Sequence, residues 1–194
     1  MLDAIKVLRE KTNAGIMDCK KALKESKGDI EKAIEFLRKK GVKLASQKSS
    51  RAAKEGRVES YIHTNGKIGV LVEVNCETDF VARNEDFRKF VKDIAMHIAA
   101  SKPAYVKRED IKASVLEKEK EILGEPIKDK PKAAFDKILD GKIEKFYEET
   151  CLLDQPFVRD PNLKIKDVLH SLIAKIGENI VIRRFVRYQL GEEI

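Results

Sequence analysis

At 194 residues the chain is long enough for one ordinary domain, or for a small domain joined to a larger one. Its apolar fraction of 42% suffices for a core, while its charged fraction of 38% exceeds the usual share of about a quarter. The net charge of +7 comes from 40 bases and 33 acids that interleave, as in Leu116-Glu117-Lys118-Glu119-Lys120-Glu121, so a chain built around a basic stripe for nucleic acid is disfavoured.

Three short helices are expected in residues 2–40. In the first, Leu2, Ile5 and Leu8 recur every three residues, and Asn13-Ala14-Gly15 stops it, because Asn and Gly tolerate the left-handed turn that ends helices. The second spans about Met17 to Ser26, with Cys19, Ala22 and Leu23 inward and Asp18 in the first turn, where a carboxylate suits the helix dipole. Asp29 is a good N-cap for the third, whose stripe is Ile30, Ala33, Ile34 and Leu37. Arg38-Lys39-Lys40 followed by Gly41 reads as its end. Residues 42–56 are small, polar and basic, and read as a linker with room for some helix.

The period then changes from 3.6 to 2. Val58 to His63 and Lys67 to Val74 flank Asn65-Gly66, a strong hairpin signal. Ile68, Val70, Val72 and Val74 face one way along the second strand. A short strand-to-helix loop follows, holding the acidic-aromatic pair Asp79-Phe80. A large apolar ring beside a carboxylate in such a loop either folds back into its own core or projects as a probe into another molecule, and pattern leaves both open. A helix from about Glu85 to Ala100 comes next, capped by Asn84 and striped by Phe87, Phe90, Val91, Ile94 and Ile98. Residues 111–152 look mainly helical with a break near Gly124-Glu125-Pro126, and residues 153–163 look like a loop. Ile165 to Ala174 reads as one more helix. Asn179 to Leu190 reads as a strand, with Ile180, Ile182, Val186, Tyr188 and Leu190 alternating against Val181, Arg183, Phe185 and Arg187. The expected fold is α+β: a helical bundle over 1–41, a linker over 42–56, and an α+β core over 57–194 with a small, mostly antiparallel sheet.

Chemistry is scarce along this chain. No Gly-rich phosphate loop occurs, and Gly56, Gly66 and Gly69 are turn or strand glycines. His63, His97 and His170 are not spaced as metal ligands, and no Ser or Cys sits in a nucleophile-elbow context. Cys19, Cys76 and Cys151 are far apart, which argues against a disulfide framework or a zinc site. No signal peptide opens the chain, and no apolar run approaches the roughly 20 residues that span a bilayer. A reduced, cytoplasmic protein that is neither an enzyme nor membrane-bound is the expectation. The competing reading is RNA binding by the last strand, where Arg183, Arg184 and Arg187 interleave with Phe185 and Tyr188.

Asn75-Cys76-Glu77-Thr78-Asp79-Phe80-Val81-Ala82-Arg83-Asn84 closely resembles the signature loop of bacterial elongation factor Ts, the guanine-nucleotide exchange factor for elongation factor Tu. Leu8-Arg9-Glu10-Lys11-Thr12-Asn13-Ala14-Gly15-Ile16-Met17-Asp18-Cys19-Lys20-Lys21-Ala22-Leu23 resembles that family's N-terminal signature. Four more segments agree in order: Gly28 to Ile34, Met96 to Pro103, Gln155-Pro156-Phe157-Val158, and Ile176-Gly177-Glu178-Asn179-Ile180. The chain looks like the compact form, without the duplicated half-core and coiled-coil insertion of the long form.

The resemblance implies that the N-terminal bundle is ubiquitin-associated-like and docks on the partner. The partner is elongation factor Tu carrying GDP, and the chain holds no nucleotide or cofactor of its own. Asp79 and Phe80 would wedge near the partner's metal and phosphate site, while Ile16, Met17, Lys20 and His97 would contact it. Each has a plainer alternative: Met17 as a filler of the bundle core, Lys20 as a solvated lysine, His97 as a packing residue on an apolar helix face. A single half-core and a few-stranded sheet suggest a homodimer and a complex of two factors with two GTPases, with strand Asn179–Leu190 or the region around Cys151 as the pairing surface.

Overall fold

Ile5 and Leu8 on one helix, Cys19, Ala22 and Leu23 on a second and Ala33 on a third form one buried cluster in the computed structural model, which describes residues 2–12 and 14–193. The helices are α1 (Leu2–Thr12), α2 (Ile16–Glu25) and α3 (Ile30–Lys48). Asn13, expected to help end α1, lies outside the described residues. Asp29 caps α3 as its residue type predicts, accepting the Lys32 N–H at 3.0 Å.

The end of α3 departs from the sequence reading. The helix does not stop at Gly41 but runs through it to Lys48, leaving only residues 49–54 outside helix and strand. Gly41 sits inside the helix rather than ending it. A Cβ there would lie at an ordinary contact distance, 3.4 Å, from the carbonyl oxygen of His170, on α8 (Ile165–Ile176), so the two helices run side by side at this point with room for a small side chain only. Three turns of sequence around it reinforce the joint. The Arg38 guanidinium donates two hydrogen bonds to the buried Asp167 carboxylate, at 3.1 and 2.9 Å, and Lys48 Nζ donates to the Gly177 carbonyl. A bundle of about 40 residues is marginal alone, and this joint extends its support.

Two compact units make up the chain: Met1–Met96 with Lys166–Ile194, and His97–Ile165. The first holds the bundle and a three-stranded antiparallel sheet in the order β1 (Glu55–Ile62), β2 (Ile68–Cys76), β5 (Val181–Gln189). The hairpin turns where Asn-Gly signalled it, with Gly66 at φ +67° and the Asn65 side chain accepting the Lys67 N–H at 3.1 Å. Val70, Val72 and Val74 are buried, as their alternation requires. At Gly56 the strands press so close that a Cβ would lie 2.2 Å from the Val74 carbonyl oxygen, at φ +143°. α4 (Asp79–Arg83) and α5 (Glu85–Ser101) follow β2, with the Asn84 side chain accepting the Asp86 and Phe87 N–H groups. Phe87, Val91 and Ile94 are fully buried on α5.

Strand β5 contains a feature that simple alternation hides. Glu73 pairs with Arg184 but Val74 with Ile182, so β5 carries one extra residue in a bulge. Downstream of it the faces exchange. Ile182, Phe185 and Arg187 share the face of Val70, Val72 and Val74, while Val181, Arg184, Val186 and Tyr188 share the other. The sequence reading had placed Ile182 with Val186 and Tyr188.

The second unit contains α6 (Ala113–Gly124), a 3-10 turn at Glu125–Ile127, and α7 (Lys132–Thr150), so the helical break falls where expected. Residues 153–163 are not a bare loop. They include a small antiparallel hairpin, β3 (Pro156–Phe157) with β4 (Asp160–Lys164), too short for periodicity to reveal. Arg108 ties this unit together: it donates to Asp154 and to Glu144, with its guanidinium 4.4 Å from the Tyr147 ring centre. The chain is thus α+β, with eight helices among the described residues and a small antiparallel sheet in each unit.

Candidate functional site

Asp79 and Phe80 begin a helix rather than occupying a loop. α4 has five residues and buries none of them. Phe80 is 79% exposed, which decides between the two possibilities its pattern left open: the ring is not folded into the core. Asp79 pairs with Arg83 one turn later at 2.9 Å, on the same short helix. Thr78 caps the helix, its hydroxyl accepting the Val81 N–H at 3.4 Å.

The approach to α4 is held by polar contacts from the turn after α8. Glu178 Oε2 accepts the N–H groups of Glu77 and Thr78, at 3.1 and 3.0 Å, and its Oε1 accepts the Thr78 hydroxyl at 2.7 Å. In return the Glu77 carboxylate accepts the Asn179 N–H at 2.6 Å and lies 3.6 Å from Arg51. The Asn179 side chain donates to the Arg51 carbonyl at 2.8 Å. Cys76 adds a further peg, its thiol donating to the Thr78 carbonyl at 3.1 Å. Burial, then the nearby Glu178 carboxylate, push that thiol up to about 11, so it stays protonated and can donate. Residue type alone does not reveal Glu178 as a partner of this segment; the only signal was that Ile176 to Ile180 formed a recognisable motif.

Ile16, Met17 and Lys20 lie together at the start of α2, and all three are exposed, Met17 by 72%. Met17 is therefore not a filler of the bundle core. Cys19, one position from Lys20, turns inward instead and is fully buried. Gly15 leads into the helix in an extended conformation with no side-chain cap, leaving the tip unobstructed.

His97 is placed differently. Its side chain is fully buried on α5. Nε2 lies 2.9 Å from Gln155 Oε1, and Nδ1 accepts the Val158 N–H at 3.3 Å, which assigns the proton to Nε2. Gln155 in turn donates to the carbonyls of Ser101 and Glu149. Burial lowers the His97 pKa and the Gln155 contact opposes that shift. The Gln155-Pro156-Phe157-Val158 motif is thus the other half of the His97 environment.

The last strand does not form the one-sided platform that stacking on RNA requires. Phe185 and Tyr188 lie on opposite faces of β5, as strand alternation requires. Arg184 is engaged with Glu73 at 2.7 Å, and Arg187 is largely covered and donates to Gln189 at 2.8 Å. All three cysteines are free and buried. Among the described residues no group of acids, His and Cys is arranged to hold a metal ion, and no helix is long and apolar enough to cross a membrane.

The family model described as elongation factor TS matches residues 3–192. Similar proteins named elongation factor Ts include one from Thermodesulfovibrio yellowstonii, 60% identical over 189 residues covering 97% of this chain and 94% of the relative. Another, from Thermoanaerobacter sp. (strain X514), is 58% identical over 193 residues, 98% of this chain and 95% of the relative. A third, from Thermotoga neapolitana, is 56% identical over 192 residues, 99% of this chain and 98% of the relative. These relatives share the compact length. A match from residue 3 to residue 192, with identity well above half along nearly the full length of several relatives, means that the chain belongs to the elongation factor Ts family.

Proposed function

We propose that this translation elongation factor, which is not an enzyme, binds elongation factor Tu carrying GDP and drives nucleotide release by wedging Asp79-Phe80 against the partner's metal and phosphate site. The observation that carries the reading is an aromatic ring standing 79% exposed beside a carboxylate, on a five-residue helix that fully buries none of its side chains. A soluble domain rarely presents such a ring without a pocket to receive it. Docking energy from other contacts is then used to distort the partner's site, so that Mg²⁺ and GDP leave and GTP rebinds. Coupling is reciprocal: the factor by which this chain weakens GDP is the factor by which GDP weakens this chain.

The three-helix head is read as a ubiquitin-associated-like module whose docking tip is Ile16, Met17 and Lys20; its third helix runs on to Lys48, and residues 49–54 lead from it to β1. Two apolar side chains and a cation at a helix start form a compact anchor for a partner surface. The burial of His97 gives it a supporting part, holding Gln155 and Val158 in place rather than presenting its ring. The chain works in the cytoplasm and uses no cofactor or nucleic acid.

The reading includes a homodimer and a complex of two factors with two GTPases. Val58, Ile62, Leu71, Val186 and Tyr188 are all exposed on one face of the sheet, an apolar area that a second copy would cover. Light scattering under reducing conditions should give twice the chain mass of 22.1 kDa. The function itself is tested by release of labelled GDP from elongation factor Tu. Release should accelerate with added protein and saturate; no acceleration at any concentration would overturn the proposal.

A further inference from the structure

We infer that Glu178 is a positioning residue for nucleotide exchange, holding the Asp79-Phe80 helix in the orientation in which it meets the partner. The inference rests on the reading of Phe80 as the wedge. α4 is too short to be stable by its own backbone hydrogen bonds, and it buries no side chain. Its orientation therefore leans on what grips its N-terminal approach, beside the half-buried Val81 and Ala82. The largest share of that grip comes from one carboxylate, which accepts two consecutive backbone N–H groups and the capping hydroxyl, all at 2.7–3.1 Å. Bonds to a charged acceptor are roughly twice as strong as neutral ones.

The geometry that aims Glu178 is built into its own segment. Gly177 adopts φ +87° after α8, its N–H reaching back to the Ile173 carbonyl at 2.8 Å, and this turn directs residue 178 toward the end of β2. The Asn179 N–H returns a bond to Glu77, so the two segments are latched in both directions. Without the carboxylate, α4 keeps its sequence and its exposed ring but loses the fixed direction of that ring. Misplacing a positioned group by about 1 Å can cost on the order of a hundredfold in rate.

The test is GDP release from elongation factor Tu as a function of exchange-factor concentration, for the native chain, Phe80→Ala, Glu178→Ala, Glu178→Gln and the Phe80→Ala/Glu178→Ala double variant. Glu178→Ala should lower the maximal rate by about tenfold or more, while the half-saturating concentration and the far-ultraviolet spectrum stay close to native. Glu178→Gln keeps one acceptor oxygen and should fall between the two; if the alanine variant does not fold, the glutamine variant carries the test. In the double variant the loss should be no greater than in Phe80→Ala alone, because Glu178 acts through the ring. A merely structural role would instead shift the half-saturating concentration, and the losses would multiply in the double variant; either result overturns the inference. If Phe80→Ala is slow while both Glu178 variants match the native chain, Glu178 is not a positioning residue although the wedge stands. If Phe80→Ala itself is as fast as native, the wedge reading fails, and the inference with it.

Discussion

The Thr78 hydroxyl donates to the Glu178 carboxylate at 2.7 Å, across a separation of 100 residues in sequence. The same hydroxyl accepts the Val81 N–H, so one side chain both starts α4 and fastens it to the turn that precedes β5. A segment that presents a large ring to solvent cannot be fixed by burying that ring. Polar contacts to the backbone that leads into it help to fix it instead, and they are concentrated on Glu77 and Thr78. Exposure and order are thereby combined in five residues.

Gly56 should be among the least replaceable glycines. Its φ of +143° suits no L side chain, and an added Cβ would stand 2.2 Å from the Val74 carbonyl oxygen in the neighbouring strand. Gly56→Ala should cost at least about 2 kcal/mol, from backbone strain together with displacement of β1 from β2. Urea unfolding gives the value, and a cost within 0.5 kcal/mol of zero would mean that the strand edge yields freely.

The joint between α3 and α8 allows a sharper contrast. At Gly41 an alanine Cβ would meet the His170 carbonyl at an ordinary contact distance of 3.4 Å, so Gly41→Ala should be neutral or gain up to about 1 kcal/mol from helix propensity. Gly41→Leu should push the helices apart and lower stability. Arg38→Ala removes the two hydrogen bonds received by buried Asp167 and should cost about 1–2 kcal/mol, moderated because the arginine itself is half exposed. Thermal melts of the three variants separate close packing from charge pairing; a stabilised Gly41→Leu would show that the helices are not in close contact there.

Stability should fall on mild acidification. Burial lowers the pKa of both His97 and His170 from the ordinary value of 6.5. Above about 6.5 both states of the chain carry neutral rings, and this contribution to stability is complete. Below it the unfolded chain takes up protons that the folded chain refuses, so stability declines until the lower folded value is reached. Each ring can contribute up to about 1.4 kcal/mol per pH unit over that window. Urea midpoints between pH 7.5 and 5.5 should decrease, and His97→Gln should have a shallower slope. A midpoint that rises as the pH drops would reverse the assigned sign.

How far the residue pattern revealed this protein depends on the range of the contact concerned. Local signals were clear: Asp29 and Asn84 as caps, Asn65-Gly66 as the hairpin turn, and the α5 stripe through Phe87 and Ile94. Three features escaped because their cause lies elsewhere in the chain. Gly41 looked like a helix stop, since the neighbouring helix at His170, beside which α3 continues, is distant in sequence. The β5 bulge reversed the faces of Val186 and Tyr188 relative to Ile182, which strict alternation cannot foresee. Glu178 looked like an ordinary surface acid until the turn at Gly177 brought it to Thr78. At the proposed contact residues, pattern placed Asp79 and Phe80 between β2 and α5 but could not state whether the ring was buried, nor that His97 was wholly enclosed.

The exposed ring of Phe80 is the most direct point of attack. Phe80→Ala removes a side chain that is 79% in solvent and adds nothing to a buried core, so the melting temperature should stay within about 2 °C of native, a shift that corresponds to no more than about 1 kcal/mol. The maximal rate of labelled GDP release from elongation factor Tu should nevertheless drop by more than about tenfold, the effect of losing an aromatic worth about 2 kcal/mol at an interface. A variant that melts like the native protein and exchanges nucleotide just as fast would contradict the wedge.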